Sequence, residues 1–307
     1  MSERVVIVEL LGGLGNQLFQ YAAGRALAAS NDAQLYLDKD AFVHYKLRQY
    51  ELGCYQIHEN FWTPEHQQLF GFSKTRTFKG IVARLRRKLK KIPVLRSFAE
   101  VNTVIISERS DFQFQEDLFN KTKKNIYLRG YWQSYKYLDK IASELRNELS
   151  IKTEPAGKNQ EFINRTRQEF VVAVHIRRGD YISNPNAAQV HGSCSIDYYY
   201  RAAEIMAKEF GTITFAIFSD DIFWCRENLN LPGKMIFVDH NPPSAAFEDI
   251  RLMQNCRGHI IANSTFSWWG AWLAGDRSER VIAPLAWIRE PKSTDDLIPS
   301  HWLRIPN

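Results

Sequence analysis

Apolar and polar positions alternate along this chain with two different periods, and the change between them marks out elements. "RVVIVEL" near the start is a short, nearly unbroken apolar run, which predicts a buried strand. A glycine-rich turn follows, then a helix from about 16 to 29, then the strand "QLYLD", so the chain opens as a βαβ unit. Residues 40 to 125 read as irregular, aromatic and basic, with no repeated period. "NIYLRG" predicts a further strand, and in "KYLDKIASELRNEL" apolar residues three and four apart predict a helix. The polar stretch "SIKTEPAGKNQEF", with Pro155 and Gly157, reads as a linker or domain edge. Beyond it the alternation is regular. The strands "FVVAVHI", "ITFAIFS", "MIFVD", "HIIAN" and "RVIAP" are separated by helices at 197–210, 222–228, "SAAFEDIRLMQNC" and "FSWWGAWLA". Short apolar strands alternating with helices predict parallel sheets covered on both faces. The expected fold is α/β, with two units at 1–160 and 161–307.

In such sheets ligands bind beyond the carboxyl ends of the strands. His175 to Asp180, Ser219 to Asp221, Asp239 and Asn263 to Ser267 all fall at those ends. Arg177 and Arg178 can hold a diphosphate through paired N–H donors, and a fixed guanidinium can stabilise charge that grows on a departing diphosphate. Asp180 could orient an arginine or touch ligand; an Arg–Asp pair that merely caps the strand is the simpler role. Asn263, Ser264, Thr265 and Ser267 cluster where a helix begins, and N-capping needs only one of them. The surplus suggests a phosphate cradle. Trp268, Trp269 and Trp272 read as core.

Gly12, Gly13 and Gly15 let backbone approach a ligand and leave a helix N-terminus open to an anion. A dinucleotide fingerprint would need a glycine where Leu18 stands. Asp38-Lys39-Asp40 is a DxD triplet of the kind that holds a divalent metal, although such triplets arise by chance in a charged chain. Asp249 could accept both donors of a guanine edge, or be a plain helical acid.

Net charge is +6, but 74 to 96 carries ten basic residues and no acidic one, which leaves the remainder negative. Within it, Ile81, Leu85, Leu89 and Ile92 form one stripe flanked by cations, so 80–92 reads as a helix lying on an anionic membrane surface. No base-stacking platform accompanies the charge, so nucleic acid is not an expected partner. Four cysteines, at 54, 194, 225 and 256, form no CxxC pair, which fits free thiols in a reducing compartment. A cytoplasmic protein, peripheral at most on the inner membrane face, is the expectation.

"GGLGNQLFQYA", "GYWQSYKYL", "VAVHIRRGDYI", "FSDD" and "IIANSTFSWWGAWL", in this order from residue 12 to 273, resemble the bacterial α-1,2-fucosyltransferases of glycosyltransferase family 11. The resemblance implies a GT-B fold, two Rossmann-like domains facing each other across a cleft. It implies transfer of fucose from GDP-β-L-fucose to the 2-hydroxyl of a terminal β-galactoside, free or lipid-linked, with inversion and without a metal. The donor would be held mainly by the C-terminal half. Arg177 would bind the β-phosphate, with His175 near the nucleotide and Asp249 on the guanine. Thr265 and Ser267 would meet phosphate, while Gly13, Gly15 and Asn16 would lie against the diphosphate or the fucose. No acid follows the motif where the α-1,6 relatives place their base, so Asp180, His191 and Asp197 are only candidates for it. Two alternatives stay open: another GDP-sugar transferase on this scaffold, and a non-catalytic carbohydrate-binding protein.

Overall fold

The computed structural model describes residues 4–44, 48–70, 103–120, 124–179 and 192–307. Two parallel sheets organise them. The first contains β1 (Val5–Glu9), β2 (Gln34–Asp38), β3 (Thr103–Ser107) and β4 (Asn125–Arg129), in the order β2-β1-β4-β3. The second contains β5 (Val171–Ile176), β6 (Thr214–Ser219), β7 (Lys234–Phe237), β8 (Gly258–Ile260), β9 (Arg280–Pro284) and β10 (Leu303–Ile305), in the order β10-β9-β8-β5-β6-β7. Every pairing in both is parallel. The second sheet therefore has the doubly wound order 3-2-1-4-5-6 of a Rossmann fold. With the first sheet it forms the expected pair of α/β units.

The helices are α1 (Leu14–Asn31), α2 (Pro64–Leu69), α3 (Ala142–Glu148), α4 (Gly157–Thr166), α5 (Ile196–Phe210), α6 (Ile222–Asn228), α7 (Ala246–Gln254) and α8 (Thr265–Ala274). α1 and α8 are buried almost all round, because α1 packs on β1 and β2 and against α8, while α8 is also covered by α7. Phe19 of α1 sits 4.5 Å from the Trp268 ring and 5.0 Å from Trp269. Aromatic pairs of this kind add about 0.5–1.5 kcal/mol each beyond the area they bury. The largest apolar cluster runs from Val6 and Val8 of the first sheet through Trp268, Trp269 and Trp272 to Trp287 and Trp302. Core thus crosses from one half to the other.

Four expectations change. The stretch read as a linker or domain edge holds regular helix, α4, whose Phe162, Ile163 and Thr166 are buried while Lys158 and Glu161 are exposed. Phe162 and Ile163 pack with Val171 and Phe218, which overrides the turn-forming composition. The region read as irregular contains β3, an edge strand in which Val104 and Ile106 are half-buried and Ile105 is exposed. The helix expected over 136–149 begins only at Ala142, preceded by turns of 3-10 helix at Tyr135–Tyr137 and Asp139–Ile141. There the Tyr137 hydroxyl accepts the Gln115 amide, and that anchoring replaces regular helix. Finally, β10 adds an unanticipated edge strand of three residues. The four cysteines are unpaired, three of them buried.

Candidate active site

In a parallel sheet, the chains leaving two neighbouring strands for opposite faces open a crevice at the carboxyl edge. In the second sheet β5 is flanked by β6 and β8, and in the first β1 is flanked by β2 and β4. The segments that follow these strands meet.

β1 runs into Gly12, with φ +75°, and Gly13 is the N-cap of α1. A Cβ on Gly15 would stand 2.6 Å from the Thr265 carbonyl carbon and 2.8 Å from the Phe266 nitrogen, so only glycine lets α1 and α8 touch here. Trp269 Nε1 donates to the Gly15 carbonyl at 2.9 Å. Asn16 Oδ1 accepts from Thr265 Oγ1 at 3.0 Å and from Gln133 Nε2 at 2.9 Å. One amide thus ties the turn after β1 to the segment after β4 and to the start of α8. Two helix N-termini, each with a partial positive charge, converge at this junction. The Glu51 carboxylate lies near the start of α1, where the Arg48 guanidinium and the Leu14 amide favour its charged form. Burial nevertheless pushes the Glu51 pKa up, and its Oε2 is buried with no hydrogen-bond partner.

At the end of β5, His175 is buried and its ring lies 5.6 Å from that of Phe266. Burial holds its pKa down at about 4, with the Arg177 charge acting the same way and Asp220 opposing, so the imidazole is neutral at pH 7. Its Nδ1 has no partner. Arg177 is half-buried and pairs with Asp220, Nη1 to Oδ2 at 2.9 Å. Asp220 also accepts the Arg178 and Gly179 amides, at 2.9 and 3.1 Å, and so anchors the whole turn. Arg178 is turned aside: its guanidinium stacks 3.6 Å over Trp224 and bonds to Asp221. The two adjacent arginines therefore have different jobs, which the motif does not reveal.

Ser264 caps α8 by accepting the Phe266 amide, and the buried Ser267 donates to the Ser264 carbonyl. Asn263 spans a gap instead, donating to the Gly192 and Trp287 carbonyls. Asp249, half-buried in the first turn of α7, accepts from Asn241 at 2.8 Å, and burial raises its pKa to about 6. It stands one element away from the α1–α8 junction.

Asp180, His191 and the basic segment 80–92 lie outside the described residues. Asp197 is exposed in the first turn of α5. Asp38 is buried, accepts the Tyr127 hydroxyl at 2.6 Å and the Asp40 amide at 2.9 Å, and is pushed up to about 6 by burial. Asp40 accepts from Trp62 and Gln67. These carboxylates serve the fold, and among the described residues no three His, Cys, Asp or Glu side chains cluster to hold a metal. Nor is any described helix long and apolar enough to cross a membrane.

Sequence reasoning gave no role to Asp220, Gln133, Arg48 or Glu51. Gln133 and Asp220 stood inside quoted motifs, "GYWQSYKYL" and "FSDD", but pairing partners over 40 to 117 residues away carry no local signature.

This chain is similar to a set of glycosyltransferases, among them the following three. An α-1,2-colitosyltransferase of Escherichia coli is 32% identical, covering 98% of this chain and 99% of that protein. The O-antigen biosynthesis glycosyltransferase WbnK of Escherichia coli is 28% identical, over 91% and 93%. A galactoside α-(1,2)-fucosyltransferase 2 of Sus scrofa is 26% identical over about half of each chain, 49% and 46%. The sequence profile of Glycosyl transferase family 11 matches residues 5–305, nearly the whole chain, and the chain belongs to that family.

Proposed function

We propose that this protein transfers L-fucose from GDP-β-L-fucose to the 2-hydroxyl of a terminal β-galactoside, with inversion, in the assembly of a surface polysaccharide. The observation that carries the reading is Arg177, held by Asp220 at the end of β5 beside the junction of Gly15, Asn16 and Thr265. The diphosphate lies across the two helix N-termini, with Arg177 on the β-phosphate and the Thr265 and Ser267 hydroxyls beside it. As the glycosidic bond lengthens, negative charge collects on the leaving oxygen, and a preset guanidinium stabilises it more than it stabilises the ground state. His175, neutral and with a vacant Nδ1, can bond the nucleotide without adding charge. Asn16 orients the fucosyl group from the α1 side. The acceptor oxygen attacks the opposite face; if the sugar is oxocarbenium-like by then, its proton can leave late. The proposed reaction runs without a metal, a reading supported by Asp38 and Asp40 already accepting the Tyr127 hydroxyl and the Trp62 indole.

A second donor is favoured by the 32% identical colitosyltransferase. Colitose is fucose without its 3-hydroxyl, and only a site that hydrogen-bonds that hydroxyl rejects one sugar for the other. GDP release from GDP-fucose, GDP-colitose, GDP-mannose and a UDP-sugar, in EDTA and with a galactoside panel, tests the reading. Fucose transfer that survives EDTA is expected. Turnover only with GDP-colitose, or none with any donor, overturns it.

Asp249 supplies a pH signature. A guanine edge needs the ionised carboxylate, and this carboxyl sits near pH 6 rather than 3.8 because it is buried. GDP affinity is therefore expected to be full at pH 7.5 and to fall as pH drops through 6. The Asp249→Asn variant should bind GDP about tenfold or more weakly, since it presents a donor to a donor, and should lose this pH dependence. Calorimetric titration of GDP at several pH values measures both.

A further inference from the structure

A cavity of about 620 Å³ opens beyond the carboxyl end of β3, walled by residues 109–120, and none of the donor-site residues lines it. Its volume is that of a small-molecule site. The cavity lies at the same carboxyl edge of the first sheet as the glycine turn, because all four strands of that sheet are parallel. Two short links connect it to the junction. Glu108 accepts the Tyr131 and Trp132 amides, at 2.7 and 3.0 Å, and the next residue, Gln133, holds Asn16.

The walls have a definite chemistry. Gln115 is 7% exposed, and its Oε1 accepts both the backbone amide and Nε of Arg109, each at 2.9 Å. Two donors fix the oxygen end, so Nε2 is the opposite end, and it is buried with no hydrogen-bond partner. An orphaned buried donor is costly, and a small shift of the Gln115 side chain toward the cavity would let a ligand acceptor satisfy it. Arg109 is paired with Asp117, and Glu116 adds a second acid, so the cavity offers no surplus cation for a nucleotide diphosphate. Gln113 and Asn120 supply exposed amides. Phe114, whose ring packs 4.9 Å from that of Tyr137, supplies a half-buried apolar wall. Amides, a carboxylate and one ring, without net positive charge, suit a neutral polyhydroxylated ligand.

We infer that this cavity binds the acceptor glycan, with Gln115 Nε2 donating to a sugar hydroxyl and Phe114 meeting the apolar face of a ring. The inference rests on the glycosyltransfer reading for its substrate class but makes a separate claim about place. Gln113→Ala/Asn120→Ala changes two exposed side chains and should fold normally. Gln115→Leu removes the buried donor, and its loss of the Arg109 contacts is checked by thermal melting. With the β-galactoside that the wild type binds best, titrated by calorimetry in the presence of GDP, each variant is expected to weaken glycan binding by about tenfold while GDP affinity is unchanged. Glycan affinity within about twofold of wild type in both variants, an equal loss of GDP binding, or no galactoside binding by the wild type would each overturn the site. Glycan binding that behaves as expected, with no turnover of any donor, would instead remove the transfer reading and leave the cavity standing.

Discussion

Arg177→Ala is expected to lower turnover by about two to three orders of magnitude, the usual loss when one preset stabiliser of developing charge is removed. The protein should remain folded, because Asp220 keeps the Arg178 and Gly179 amides and needs no guanidinium to stay hydrogen-bonded. The informative control is its neighbour. Arg178 lies over Trp224 and bonds to Asp221, so Arg178→Ala should cost about 1 kcal/mol of stability while changing turnover far less. Arg177→Lys keeps the charge but not the paired donors, and should recover only part of the loss. GDP release from GDP-fucose, measured beside urea unfolding, separates the two effects. Turnover in Arg177→Ala near that of the wild type would remove the mechanism; equal losses at both arginines would mean that the turn, not the charge, is what matters.

Gly15→Ala is expected to be strongly destabilising for the addition of a single methyl group. The new carbon would press on the backbone of Thr265 and Phe266, at 2.6 and 2.8 Å, and backbone cannot rotate aside as a side chain can. Overpacking usually costs about 1–3 kcal/mol, and a clash between two helix termini belongs at or above the top of that range. Gly13 makes the opposite prediction two residues away. Its φ is −81°, and a Cβ there would lie 3.7 Å from Arg48 in ordinary contact, so Gly13→Ala should be near neutral for stability. Urea midpoints of the two variants decide the matter. Similar values would show that α1 and α8 are not held as closely as the Gly15–Thr265 approach requires.

Much of the second sheet was legible because parallel strands buried on both faces are written as short apolar runs, and "RVIAP" became β9 without adjustment. β3 was hidden for the opposite reason. An edge strand has one exposed side, and "TVIIS" stands near a long basic stretch that dominates any window around it. α4 was missed because three buried residues, not its overall composition, hold it. At the site, the ends of β5 and β8 were readable as chemistry, since His175, Arg177 and Thr265 have polar groups where a strand stops. What could not be read is partnership. Nothing in "HIRRGD" tells which arginine faces Asp220 and which lies on Trp224, and nothing near Asn16 names Gln133 and Thr265. Those assignments depend on strand order, which sequence periodicity does not encode.

The tryptophans of α8 have a practical meaning for recombination. Because Trp268 and Trp269 insert into the apolar interior around Phe19 and bond to Leu297 and Gly15, exchanging one half for that of a relative would cut through packed core. A chimera cut near the middle of the sequence would pair one parent's glycine turn with the other's indoles. Swaps intended to alter acceptor choice should therefore replace the surface segment after β3 alone, or carry residues 264–302 along with the donated N-terminal half.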